Sequence, residues 1–317
     1  MTGKIIKGIG GFYYIHTTDD EIYSCRAVGI FRKLGIKPLV GDNVSFEVTD
    51  PKDMEGSLTK IHERKNILIR PAVANIDQAM IVFAVRDPDP NLNLLDRFLV
   101  YMGMQKIPVI IFFNKSDLNR EGRMEHYRKI YESAGYPVIC GSAHDPETIE
   151  KIRSALHGKT TVLAGPSGVG KSSLTNRLFE GANMEVGELS RKIRRGRQTT
   201  RHTELIALKE PGPGQRTADI KGNGETEHAE TESYVLDTPG FTSLYLSGVA
   251  SAGLSDYFEE FMPYIPDCRF VGCSHVYEAS AICGVRQAVE RDEVSIERYE
   301  NYCQIYEELR ERESTYR

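Results

Sequence analysis

Residues 165–172 read Gly165, Pro166, Ser167, Gly168, Val169, Gly170, Lys171 and Ser172, with Ser173 next, and satisfy the spacing of a phosphate-binding loop. Gly165 and Gly170 permit tight turns, so successive amides can face phosphate oxygens. A helix starting near Lys171 adds the favourable end of its dipole. In such a loop Lys171 holds the β- and γ-phosphates, and the Ser172 hydroxyl ligates Mg2+. A chance glycine-rich turn would have no reason to place Lys and Ser at these two positions.

Asn114, Lys115, Ser116 and Asp117 follow an apolar run. A carboxylate at 117 can accept from guanine N1–H and the 2-amino group, donors that adenine lacks, which would select GTP over ATP. Alone, this tetrad is also a good polar turn; beside a phosphate loop it carries more weight. Gly141, Ser142 and Ala143 suit a loop covering the base. Asp237 ends another apolar run and starts Asp-Thr-Pro-Gly, where a carboxylate would meet Mg2+ and Gly240 would offer an amide to the γ-phosphate. Between these motifs, residues 190–205 hold Thr199, Thr200 and Thr203, any of which could reach Mg2+. Arg191, Lys192, Arg194, Arg195, Arg197 and Arg201 make the same stretch a candidate for contact with an RNA backbone.

Cys268, Cys273, His275 and Cys283 cluster near the C-terminus. Three thiolates and an imidazole suit one closed, tetrahedral and therefore structural Zn2+ site.

The elements that must position these residues change along the chain. Residues 1–65 hold short alternating stretches separated by turn signals, as in an OB-like β-barrel or a generic five-stranded β-module. From 66 to 247 the texture is α/β. Buried strands are predicted at 78–85, 108–114, 137–140, 160–165, 204–208 and 233–237, with helices at 92–104, 121–134 and from about 171. Residues 209–232 read as a long polar loop. Residues 248–317 are Cys-bearing and then helical, with Val285, Val289, Ile296, Tyr299, Cys303, Tyr306 and Leu309 roughly on one face. The guanine motif precedes the phosphate loop, which reverses the usual order. The predicted fold class is therefore α/β, a circularly permuted P-loop GTPase domain between an N-terminal OB-like barrel and a C-terminal zinc-binding helical module. Permutation is permissible where the old termini lie close.

The 317 residues carry 40 basic and 45 acidic side chains, a net charge of −5, which argues against wholesale coating of nucleic acid. No apolar run approaches the ~18 residues of a membrane span, and the N-terminus has no signal-peptide pattern. A cytoplasmic monomer without membrane attachment is expected.

Nearly the whole chain resembles the RsgA (YjeQ/YloQ) family of small-ribosomal-subunit biogenesis GTPases. The resemblance rests on PLVGDNV (38–44), NKSD (114–117), GPSGVGKSSLTN (165–176), GRQTT (196–200), DTPGF (237–241) and DCRFVGCSH (267–275). It implies GTP hydrolysis stimulated by the small ribosomal subunit, a role in late subunit maturation including release of assembly factors, and contact of all three segments with ribosomal RNA. Where family members often carry a catalytic His before the paired threonines, this chain has Gln198, a residue able to orient water. Phe241 stands where Ras-type enzymes place their water-orienting Gln, so turnover is expected to be slow until a partner raises it. The interval from His275 to Cys283 is about two residues longer than usual, and 209–232 exceeds the family's hairpin. The competing reading is an RNA-binding assembly factor that uses GTP only as a conformational latch. An ATPase or kinase is disfavoured by Asp117.

Overall fold

The computed structural model describes residues 1–29, 31, 35–69, 71–180, 203–208, 232–237, 244 and 246–315. Contacts group the chain into two compact units. One combines Met1–Gln78, Ile149–Leu163 and Ser172–Pro239; the other combines Ala79–Thr148, Ala164–Lys171 and Gly240–Arg317.

The first unit begins with five strands, β1 (Thr2–Ile9), β2 (Phe12–His16), β3 (Ile22–Ala27), β4 (Asn43–Asp50) and β5 (Glu55–Ile61), closed into a barrel in the order β1-β2-β3-β5-β4. Closure removes free edges. Every second residue of β4 points inward at its start, so Val44 and Phe46 join Ile5, Ile15, Tyr23, Cys25 and Leu58 in the barrel core. The PLVGD turn is held by charge. Asp42 is fully buried, accepts Leu39 N at 2.7 Å, and takes Arg64 Nε at 2.6 Å and Nη2 at 2.8 Å. Arg64 thus ties the turn to the chain leaving the barrel. Two short pieces, β6 (Ile67–Leu68) and β7 (Val73–Ala74), pair beyond it.

The same unit contains three more strands. β11 (Thr160–Ala164) is parallel to β13 (Ser233–Asp237), and β13 is antiparallel to β12 (Leu205–Leu208), with Leu205 opposite Leu236 and Leu208 opposite Ser233. The remaining strands are numbered in chain order: β8 (Gln78–Ala84), β9 (Val109–Asn114) and β10 (Val138–Cys140).

In the second unit β9 lies parallel to both β8 and β10. All seven residues of β8 are buried, as a strand covered on both faces requires. Helix α1 (Leu92–Met104) starts where Asn91 accepts Leu94 N at 3.0 Å, and α2 (Arg123–Ser133) follows β9. Helix α3 (Pro146–Leu156), which from Ile149 onward belongs to the first unit, is not among the predicted elements. Its signals are nevertheless in the chain: Asp145 accepts Thr148 N, Pro146 opens the first turn, and Ile149, Ile152 and Leu156 are buried at helical spacing. Helix α4 (Lys171–Glu180), which from Ser172 onward belongs to the first unit, begins where expected.

The C-terminal stretch is not one continuous helical face. Short 3-10 turns lead to α5 (Gly284–Glu290), and Asp292, with φ of 56°, stands in the turn before α6 (Ile296–Thr315). That break rotates the pattern: Ile296 is half exposed, while Arg298, Asn301, Tyr302, Ile305, Tyr306 and Leu309 are buried. Arg298 donates to Asp96 of α1 at 2.5 Å and to Glu260 at 2.7 and 3.0 Å, and Asn301 and Tyr131 also donate to Asp96. A buried cation is tolerable only with such complete pairing. Among the described residues, no helix is long and apolar enough to cross a membrane.

Candidate nucleotide site and candidate metal centre

Three of the sequence motifs meet at Asn114, the last residue of β9, which is 2 % exposed. Its Nδ2 donates to Val169 O of the phosphate loop at 2.8 Å. Its Oδ1 accepts Lys115 N and Ala143 N, each at 2.8 Å. One buried amide therefore joins the NKSD turn, the Ser142–Ala143 loop and residues 165–171. Ser116 N donates to Gly141 O at 3.0 Å and adds a second link between the first two.

Lys115 adopts φ of 63° and sends Nζ to Gly168 O at 2.9 Å and to Asp87 O. It thereby links the NKSD turn to Gly168 and to the Asp87 backbone. Sequence reasoning missed the Asp87 carbonyl, a backbone acceptor with no signature in the sequence. Asp117 is exposed on the turn Ser116–Leu118, and Ser142 is buried with its Oγ accepting His144 N at 3.3 Å.

The loop conformation explains two of its glycines. Gly165 has φ of 142°, and a Cβ there would stand 2.2 Å from Val82 O. Gly170 has φ of 97°, and a Cβ would stand 2.3 Å from Asn114 Nδ2. Both positions exclude a side chain on two independent grounds. Val169 is buried, while Ser167 and Gly168 are exposed. Lys171 is buried and donates to Gly165 O at 2.8 Å and Pro166 O at 2.7 Å, folding over the carbonyls of its own loop.

In the other unit, Ser172 and Ser173 are exposed in the first turn of α4. Asp237 ends β13 with its Cα paired to Leu163 of β11, two residues before Gly165. Gln198, Thr199, Thr200 and Gly240 lie outside the described residues.

The second candidate site is the cysteine cluster. One donor atom from each of Cys268, Cys273, His275 and Cys283 lies within 4.8 Å of the others. His275 Nδ1 is 3.6 Å from Cys268 Sγ and 3.5 Å from Cys283 Sγ. A tetrahedral ion with Zn–S near 2.3 Å and Zn–N near 2.05 Å gives an S···N edge of about 3.6 Å. The soft donor set fits the same metal. The 3-10 turn Ser280–Ile282 lies in the interval between His275 and Cys283. Tyr299 and Tyr302 of α6 donate to the carbonyls of His275 and Ser274, each at 2.8 Å, so the helix supports the ligand loop directly. Burial and the neighbouring cysteines push the Cys273 and Cys283 thiols up, so protons must leave as a metal enters.

The RsgA GTPase family model matches residues 61–221, and the RsgA N-terminal domain model matches residues 2–56. The chain belongs to the RsgA GTPase family. Proteins named small ribosomal subunit biogenesis GTPase RsgA from Agathobacter rectalis and Alkaliphilus metalliredigens are each 45 % identical to it. They match over 99 % of both chains and 97 % of both chains, respectively. Among solved structures, YloQ, described as a circularly permuted GTPase, is 36 % identical with a TM-score of 0.75 over 98 % of this chain and 95 % of its own. YjeQ from Thermotoga maritima is 30 % identical with a TM-score of 0.76 over 97 % and 98 %. The expected permuted GTPase fold with its N-terminal barrel is therefore present.

Proposed function

We propose that this chain is a GTP hydrolase acting in late maturation of the small ribosomal subunit, with the subunit and its RNA as partners and stimulators of hydrolysis. The observation that carries the nucleotide part is the buried Asn114 amide that ties the base-reading turn to the phosphate loop. The ribosomal part is carried by full-length similarity to proteins named for small-subunit biogenesis. Three functional segments, 1–65, 66–247 and 248–317, suit a factor that touches RNA at several points.

In this reading Asp117 accepts from the guanine edge, and Ser142 and Ala143 cover the base. Residues 165–170 wrap the phosphates with backbone amides. Lys171 exchanges its loop carbonyls for β- and γ-phosphate oxygens. Ser172 and Asp237 hold Mg2+, which offsets phosphate charge when bound. Gly240 meets the γ-phosphate, Thr199, Thr200 or Thr203 completes the metal site, and Gln198 orients water. The Cys268, Cys273, His275 and Cys283 cluster holds one Zn2+ as a structural ion. The chain works as a cytoplasmic monomer.

Phosphate release from GTP, measured with and without purified small subunits, separates an enzyme from a latch. Stimulated release supports the proposal. Tight GTP-dependent binding to subunits without release would favour the latch, the reading to which Phe241 in place of a water-orienting Gln points.

A further inference from the structure

The barrel holds the strand pair β12–β13 at both ends. In β1 the ladder to β2 slips by one residue, pairing Ile5 with Ile15 and then Lys7 with Tyr14. Such a bulge re-aims the side chains beyond it. Beyond it Lys7 forms an antiparallel backbone bridge with Glu204, and Lys7 Nζ lies 2.8 Å from Glu204 Oε2. Glu204 stands between Thr203 and β12, at the end of the hairpin where β13 reaches Asp237. At the opposite end, His16 closes β2. It is 4 % exposed, with Nδ1 2.9 Å from Tyr234 Oη and 3.3 Å from Glu232 Oε2, while Nε2 meets Asp20 Oδ1 at 3.0 Å. Tyr234 also donates to Glu232, and Lys4 Nζ stands 5.4 Å from the Tyr234 ring.

A part-exposed ion pair such as Lys7–Glu204 contributes little to stability. A bulge, a lone backbone bridge and a buried imidazole aimed at the same hairpin are more than docking needs. We propose that Lys7 and His16 are positioning residues that transmit engagement of the barrel to β12 and β13, and so to Thr203 and Asp237 at their nucleotide end. The barrel is then part of the device that sets the stimulated rate, beyond anchoring the protein. This inference rests on the function proposed above. In the competing route the barrel only docks, and the signal reaches the nucleotide through the metal-bearing segment.

The test measures maximal subunit-stimulated phosphate release, basal release and the half-saturating subunit concentration in the full chain. The variants are Lys7→Glu, Glu204→Lys, the double exchange, and Tyr234→Phe. Either single reversal should cut maximal stimulation by about 3- to 10-fold. Basal release and half-saturation should stay at wild-type values, and the double exchange should restore most of the loss. Tyr234→Phe, which keeps the ring and removes the hydroxyl, should lower stimulation in the same direction. Undiminished stimulation in the single variants, no rescue by the exchange, or a shift in half-saturation alone overturns the inference. A wild type that no subunit concentration stimulates overturns the functional reading and this inference together, and needs no variant to be recognised.

Discussion

Asn114 and Asp117 lie in one motif and differ in what they do. Asn114 makes three short hydrogen bonds inside the protein, so Asn114→Ala leaves Val169 O, Lys115 N and Ala143 N without their partner. The cost should be about 2–3 kcal/mol in stability, read by denaturant unfolding, with nucleotide binding lost alongside. Asp117 is exposed and holds nothing in place, so Asp117→Asn should leave stability unchanged. It should weaken GTP binding about 10- to 100-fold in a nucleotide titration and improve binding of a xanthine nucleotide. Unaltered GTP affinity in that variant would reduce the NKSD stretch to a turn. Motif spacing singles out Asp117, Lys171 and Cys268, Cys273, His275 and Cys283, and the structure brings the last four together. Spacing did not reveal that Lys115 clamps Gly168 and Asp87, since both acceptors are backbone carbonyls and every residue has one.

Strands and helices with strong periodicity were readable almost to the residue. β13 lies where the apolar run ends in Asp237, and α1 spans the stretch expected. Helix α3 gives a weak signal because only four of its eleven residues are buried, one of them the polar Thr148, and its start lies in a polar Asp-Pro turn. The α6 face is legible in part: Tyr306 and Leu309 are buried and Tyr299 and Cys303 pack against the same core, while Ile296 is half exposed and the buried Arg298 carries no apolar signal. Asp96→Ala tests the network around that arginine. It leaves Arg298 with Glu260 as its remaining carboxylate partner and should destabilise the chain by roughly 3–5 kcal/mol, whereas Arg97→Ala at a part-exposed pair should cost about 0–1 kcal/mol. The barrel's hold on β13 should depend on pH. Burial opposes the His16 cation, but Glu232 and Asp20 outweigh it and raise the imidazole above its ordinary 6.5. Burial likewise opposes the Glu232 anion, but His16 and Tyr234 hold it below its ordinary 4.5. The histidine's share of stability is thus fully present below pH 6.5 and is lost as pH rises through the raised value. The glutamate's share is present above pH 4.5 and fades as pH falls through the lowered one. The gap in unfolding free energy between wild type and His16→Gln should be widest near pH 5–6, on the order of 1 kcal/mol, and should narrow by pH 8. A gap that widens toward pH 8 would contradict the assigned pairing.

The chain order puts the NKSD turn before residues 165–172 and leaves Asp237 close in sequence to the cysteine-bearing segment. Metal analysis should find one Zn2+ per chain. Cys283→Ala should release it and loosen α5 and α6 while GTP still binds, because metal binding supplies folding energy to its own segment. The most direct measurement is phosphate release from GTP by wild type and by Lys171→Ala as purified small ribosomal subunits are titrated in. Wild-type release should climb from a slow basal rate to a plateau, and Lys171→Ala should stay at the blank at every subunit concentration. Release that is flat for the wild type, or that rises equally in both proteins, would contradict a subunit-stimulated GTPase built on this phosphate loop.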